Sequence, residues 1–256
     1  MKDLRSFAST LCQLLNIKKP ELATNEVFEE LIQASKTKIK KALIYCPDAF
    51  GLHALKYYPT FHSQLQEIST NEVELNAVFP SVTPVCFASL FTGATPAQHG
   101  IETYKKPILK CDTLFDALLR AEKKVAIVAV KNSSVDMIFR DRKLDYFSMD
   151  YDPLVTVKAL QLLEANQHDV IVVYHQEYDD LLHDTGPFSE IASWALGRHV
   201  QTYQLLVQRA KLVWKQDYLV VFAPDHGAHV DIKTGLGDHG LDIPEDMNLR
   251  HFYVIN

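Results

Sequence analysis

Apolar positions along the chain fall into short continuous runs separated by stretches of helical period. Ala42-Leu43-Ile44-Tyr45-Cys46, Val125 to Val130, Val170 to Tyr174 and Tyr218 to Phe222 are rich in β-branched and aromatic residues and carry no charge. Runs of this length that do not alternate with polar residues suit strands buried on both faces. Between them, Thr113 to Lys123, Pro153 to Asn166 and Phe188 to Val213 read as helices, the last a long helix packed on the outside. Ahead of the first strand, Leu4, Phe7, Leu11, Leu14 and Leu15 recur at helical spacing, and Val27, Leu31 and Ile32 do so less regularly. This alternation predicts an α/β fold of three layers, α/β/α, around a mostly parallel central sheet. Residues 1–256 are expected to form a single domain, with a helical segment over 1–38 packed on it.

Composition narrows the range of partners. The chain has 256 residues, 47% hydrophobic and 23% charged, enough to bury a large core. A formal net charge of -6 and no basic stripe argue against a nucleic-acid polymer as partner, and the lysines at 36, 38, 40 and 41 read as a solvated strand entrance. Cys12, Cys46, Cys86 and Cys111 have no paired spacing, and three of them lie in or beside apolar runs, which fits free thiols in a reducing cytoplasm. Polar residues interrupt Met1 to Leu15, so no signal peptide is expected, and no apolar stretch approaches a membrane span.

Candidate chemistry gathers just after the predicted strands. Asp48 follows the first run, Asp179 follows the third, and Asp225 lies three residues beyond the fourth. In open parallel sheets ligands bind at the carboxyl ends of the strands, so three strands would deliver carboxylates to one edge. Asp179 and His183, at i and i+4, share one face of a helical turn that Gly186-Pro187 ends. Asp225-His226-Gly227 sets an acid and an imidazole where glycine permits a sharp turn, and His239 sits between Gly237 and Gly240. Taken singly, each has an ordinary reading as a solvated helix face, a capping turn or an idle surface histidine. Together they supply three carboxylates and three imidazoles, a donor set suited to zinc, with manganese as the nearest competitor. Thr83-Pro84 opens an apolar helical stretch and reads as an N-cap followed by proline. The same geometry offers a phosphate the amide groups of a helix N-terminus and a threonine hydroxyl as nucleophile.

The run Pro80 to Ile101, with Thr83, Thr92-Gly93, Pro96 and His99-Gly100-Ile101, resembles the nucleophile segment of type I phosphodiesterase/nucleotide pyrophosphatases of the alkaline phosphatase superfamily. Asp48, Glu177-Tyr178-Asp179 to His183 with Gly186-Pro187, Asp225-His226-Gly227 and Gly237-Asp238-His239-Gly240 follow in that family's order, so the resemblance spans roughly residues 41–240. It implies an alkaline phosphatase-like core with a minimal cap. One divalent metal would be held by Asp48, Thr83, Asp225 and His226, and a second by Asp179, His183 and His239. Thr83 would attack phosphorus to give a phosphothreonine intermediate, and the substrate would be a small phosphate ester with a diester or pyrophosphate bond.

Departures from the family pattern bear on the substrate. Relatives acting on nucleotide diesters carry an asparagine shortly after the His-Gly-Ile turn, whereas this chain reads Glu102-Thr103-Tyr104-Lys105-Lys106, leaving Thr103, Tyr104 or Lys105 to replace that contact. Cys86 stands where relatives often have asparagine and reads as a packing residue, while His99 reads as structural. Only twelve residues separate His226 from His239, so the site is expected to be open, with selectivity from loops around Phe50 to His62 and Tyr104 to Leu109. Tyr57, Tyr58 and Phe61 read as core residues rather than base-stacking ones. A phosphomonoesterase, a phosphonate C–P hydrolase and a non-catalytic metal- or nucleotide-binding protein remain as alternatives. A sulfatase is disfavoured because no Cys/Ser-x-Pro-x-Arg segment follows Thr83. Oligomeric state is left open.

Overall fold

The structure is a computed structural model that describes residues 2–256. Its ten strands are β1 (Lys2–Asp3), β2 (Lys41–Pro47), β3 (Asn71–Asn76), β4 (Val125–Val130), β5 (Asp145–Met149), β6 (Val170–His175), β7 (Tyr218–Phe222), β8 (His229–Val230), β9 (Gly237–Asp238) and β10 (Asn248–Ile255). Eight of them form one sheet in the order β1-β3-β10-β7-β2-β6-β4-β5, and β8 pairs with β9 in a small separate ribbon. The four apolar runs predicted as strands are β2, β4, β6 and β7, which lie together and parallel in the centre of the sheet. The sheet is mostly parallel, with β10 antiparallel to both β3 and β7.

Central strands are apolar throughout because both faces are covered. In β2, Ala42, Ile44 and Cys46 enter one core, while Leu43 and Tyr45 enter the other. The first core lies under helices Ser6–Leu15, Thr83–Thr92 and Leu114–Arg120; the second lies under Asp152–Ala165 and Glu190–Trp214. The predicted outer helix is therefore observed, shifted by about two residues at its start. Besides the two-residue strands β1, β8 and β9, three longer strands escaped the apolar pattern. β3 (Asn-Glu-Val-Glu-Leu-Asn) and β5 alternate or are half-exposed, and β10 is interrupted by Arg250 and His251. They lie at or toward the margins of the sheet, where a strand need not be apolar on both faces.

Within the N-terminal segment, Lys2–Asp3 pairs with β3 as a strand, correcting the purely helical reading there, and the helix begins at Ser6. Phe7 packs edge-on against Phe91, which also meets Phe115 and Phe139 at centroid distances of 4.9 and 5.2 Å. The stretch 50–62, expected as a loop, instead holds helices Leu52–Tyr57 and Pro59–Ile68. Tyr58 and Phe61 pack partly against the second core, but Tyr57 is 56% exposed and stacks on Phe188, so it is a surface residue and not a core one. Because Phe91 is fully buried and joins the N-terminal helix to the sheet-covering helices, Phe91→Ala is expected to cost about 3–5 kcal/mol of stability. Urea unfolding monitored by circular dichroism would measure it, and a loss below 1 kcal/mol would contradict this packing.

Candidate active site

Three parallel strands end on the same edge of the sheet, and each releases one acid there. Asp48 follows β2, Asp225 lies three residues past β7, and Asp179 stands in the first turn of helix Glu177–Thr185, which follows β6. The turn after β2 is tight: Ala49 takes a left-handed φ of 58°, and its N–H donates to Asp225 Oδ1 at 3.3 Å. Asp48 is also held by the Tyr174 hydroxyl, which donates to Oδ2 through a short hydrogen bond. Neither Ala49 nor Tyr174 is signalled by the sequence pattern, since one is an ordinary alanine and the other an aromatic residue in an apolar strand.

Thr83 is the first residue of its helix, with Val82 as the cap, and its side chain makes no capping hydrogen bond. This corrects the reading of Thr83 as an N-cap. Its hydroxyl instead faces the acids, 3.4 Å from Asp48 Oδ1 and 3.3 Å from His226 Nε2. His226 Nε2 also lies 3.3 Å from Asp48 Oδ1 and 3.4 Å from Asp225 Oδ2. Asp179 Oδ1 forms the second focus, 3.6 Å from His183 Nε2 and 3.4 Å from His239 Nε2, with the two imidazole nitrogens 3.2 Å apart. His226 links the foci, its ring centroid 4.1 Å from that of His239.

Each imidazole is oriented by a backbone carbonyl on its far side. Nδ1 of His183, His226 and His239 lies 3.0, 2.9 and 3.0 Å from the carbonyls of Gly237, Gly227 and Ser81. A carbonyl can only accept, so each Nδ1 carries the proton and each Nε2 turns a lone pair into the site. The loop bearing His239 is fixed in turn by fully buried Asp246, which takes hydrogen bonds from His229 Nδ1 and Leu241 N. Glycine is required at 237, where a Cβ would lie 2.6 Å from the Leu182 carbonyl oxygen.

Electrostatically the site is short of positive charge. Burial, followed by the charges of Asp225 and Asp179, pushes the Asp48 carboxyl well above its usual range. Asp225 is pushed to about 8, by burial first and then by Asp179. Burial would raise Asp179 too, but the imidazoles beside it, His239 above all with Nε2 at 3.4 Å from Oδ1, leave it below the usual range. Asp179 Oδ1 and Asp225 Oδ2 are buried without a hydrogen-bond partner. Two overlapping donor groups, Asp48/Asp225/His226 and Asp179/His226/His239, each bring one ligand atom per residue within 4.8 Å of one another. Unpaired carboxylate oxygens beside inward imidazole lone pairs fit divalent cations of the zinc type.

Other predicted residues lie around this centre. Tyr104 is exposed at the rim, its hydroxyl raised by partial burial and then by the charges of Asp48, Asp179, Asp180 and Asp225. Thr103 and Lys105 are exposed on the same loop. His99 is buried, 2.9 Å from Ser89 Oγ, and its Nδ1 accepts from Ile101 N, a structural placement. Cys86 is buried in the first core with its thiol directed at the Val78 carbonyl.

The fold is of the alkaline phosphatase-like α/β type, a mostly parallel sheet covered by helices on both faces. The family model for type I phosphodiesterase / nucleotide pyrophosphatase matches residues 47–235, so the chain belongs to that family. No curated protein sequence matches the chain. Among solved structures, an inactive variant of murine ectonucleotide pyrophosphatase / phosphodiesterase 5 in complex with AMP is similar, with a TM-score of 0.61 and 18% identity, covering 76% of this chain and 59% of that one. Phosphonoacetate hydrolase from Sinorhizobium meliloti in complex with phosphonoformate is similar with a TM-score of 0.54 and 18% identity, covering 77% and 59%. The chain thus spans about three fifths of the length of these structures.

Because the Tyr174 hydroxyl is the direct support of Asp48, Tyr174→Phe is expected to weaken zinc binding about 10- to 100-fold. Competition against a chromophoric chelator would measure it, and unchanged affinity would show that Asp48 needs no such support.

Proposed function

We propose that the protein is a two-metal phosphohydrolase that cleaves phosphodiester or pyrophosphate bonds through a phosphothreonine intermediate. The observation that carries this reading is the Thr83 hydroxyl, uncommitted to capping and 3.3–3.4 Å from His226 and Asp48 at the start of a buried helix. Asp48, Thr83, Asp225 and His226 would hold one divalent cation, and Asp179, His183 and His239 the other, zinc or manganese suiting this donor set. Bound there, two cations supply charge for the phosphoryl oxygens and lower the pKa of the attacking oxygen.

The residues themselves account for binding and attack. A phosphoryl group set over Thr83 meets the positive end of the helix dipole, which favours an anion. The Thr83 hydroxyl gives up its proton by way of Asp48 Oδ1, which accepts its hydrogen bond, and its oxygen attacks phosphorus opposite the leaving oxygen, which takes up a proton from solvent as its bond to phosphorus breaks. The alcohol or phosphate leaves as the phosphothreonine forms, and a water then attacks phosphorus from the vacated side to restore the threonine. Tyr104 at the rim, with Thr103 and Lys105 on the same loop, would meet the rest of a small phosphate-ester substrate. This reading takes residues 1–256 as one catalytic domain carrying the 1–38 segment. It assigns the enzyme to the cytoplasm, supported by four free cysteines, three of them buried. No helix among the described residues is long and apolar enough to cross a membrane.

Assay of a nitrophenyl phosphodiester against the matching monoester, with zinc or manganese added, tests the proposal. A diester preference is expected. A monoester preference would replace the reading with a phosphatase, and turnover of neither would favour a phosphonate hydrolase or a non-catalytic binder. Thr83→Ala is expected to lower diester turnover by about 1,000-fold or more while bound metal is retained. Activity near wild type in that variant would remove Thr83 as the nucleophile.

A further inference from the structure

A second cluster of side chains of metal-ligating type lies on the opposite face of the sheet from the Thr83 helix. Asp152, His175 and His199 are each 1–3% exposed and bring one ligand atom apiece within 4.8 Å of one another. They come from three elements: the start of helix Asp152–Ala165, the end of β6 and the middle of helix Glu190–Trp214. Tyr45 of β2 stands between the rings, its hydroxyl 3.1 Å from His175 Nδ1 and 2.8 Å from His199 Nδ1. A cavity of about 310 Å³ is lined by all three residues.

Hydrogen bonding within the protein does not satisfy this cluster. The Tyr45 hydroxyl has one proton and cannot give it to both rings. Suppose His175 Nε2 donates to Thr156 Oγ1, 3.2 Å away, while the threonine donates to the Asp152 carbonyl. His175 Nδ1 then takes the tyrosine proton, yet its lone pair also faces Asp152 Oδ2 at 3.5 Å with no proton between them. His199 Nδ1 must donate to Tyr45, which leaves His199 Nε2 a bare lone pair. Suppose instead that His175 Nδ1 donates to Asp152; the tyrosine then donates to His199 Nδ1, and His199 Nε2 becomes a buried N–H. In both cases His199 Nε2 is buried without a partner among the described residues. Groups in that state are costly, and a further ligand that accepts nitrogen and carboxylate lone pairs resolves the first arrangement.

We infer that Asp152, His175 and His199 form a third cation site, separate from the site around Thr83, that binds zinc or a similar borderline divalent cation. Two imidazoles and one carboxylate are a donor set such cations favour. Donors around one zinc lie roughly 3.3–3.6 Å apart. The 3.5 Å between His175 Nδ1 and Asp152 Oδ2 already meets this, and the His199 nitrogen lies within 4.8 Å of both.

Its consequence follows from Asp152. Both carboxylate oxygens of that residue accept from the start of helix Glu177–Thr185, Oδ1 from Gln176 N at 3.1 Å and Oδ2 from Glu177 N at 3.0 Å. That helix carries Asp179 and His183. A cation at Asp152 would fix the carboxylate that anchors the helix, so the site is structural and acts by positioning.

The test compares zinc content after chelator dialysis, reloading and gel filtration. Wild type is expected to hold one more zinc per chain than the His175→Gln/His199→Gln variant. The Asp225→Asn/His239→Gln variant, altered only in the other site, is expected to keep this zinc, so failure here and failure of the two-metal reading are told apart. Equal zinc in wild type and the His175/His199 variant, both folded by circular dichroism, would overturn the inference. If that variant does not fold, anomalous diffraction at the zinc edge from zinc-loaded wild-type crystals decides. A peak among Asp152, His175 and His199 supports the site, and a feature there without anomalous signal overturns it.

Discussion

Carboxylates crowded into a pocket with too little positive charge are the constraint on which the rest of the structure turns. Asp48, Asp179 and Asp225 leave three strands at one edge, and burial together with mutual repulsion drives the carboxyls of Asp48 and Asp225 upward. Such an arrangement is unfavourable for the protein alone, because buried charges without partners are costly. Everything near them is built to hold the group in place despite that cost. Ala49 adopts a left-handed backbone to aim its N–H, Tyr174 braces Asp48 from beneath, and three backbone carbonyls turn the imidazoles so that Nε2 faces inward. The cost at the centre is what makes the pocket receptive to cations.

The parallel sheet makes this crowding possible. Strands that run the same way end on the same edge, so acids placed one to four residues beyond β2, β6 and β7 converge even though they are far apart in sequence. The antiparallel strand β10 has a supporting part: Asp246, just before it, pins the loop that carries His239 and accepts hydrogen bonds from both of its ends. A short chain thereby fixes its last imidazole without a large covering domain between His226 and His239.

The two faces of β6 divide the labour. Tyr174 points into the core beneath the Thr83 helix and supports Asp48; its neighbour His175 points to the other face and joins Asp152 and His199. Helix Glu177–Thr185 begins immediately after and is anchored by Asp152 at its start. One strand end thus connects two polar clusters through a helix of little more than two turns.

The central strands, the helices between them and the three acids beyond strand ends were legible in the sequence, because burial on both faces enforces continuous apolar runs and acids just past them stand out; Thr83 and the three imidazoles were grouped with those acids as one ligand set through the family resemblance. The margins were not. β3, β5 and β10 read as polar or mixed, since a strand covered on fewer sides need not be apolar, and Tyr57 read as core because its spacing alone does not reveal which side of a helix faces water. Thr83 read as a cap because sequence gives the start of a helix only to within a residue or so, whereas its hydroxyl direction depends on Asp48 and His226 brought up from other strands. Tyr174, Ala49, Asp246 and the Asp152/His175/His199 cluster left no local signal at all. Residue type and spacing decide which side chains stand at a strand end; which atoms they meet depends on contacts between segments from tens to well over a hundred residues apart, and only the folded chain sets those.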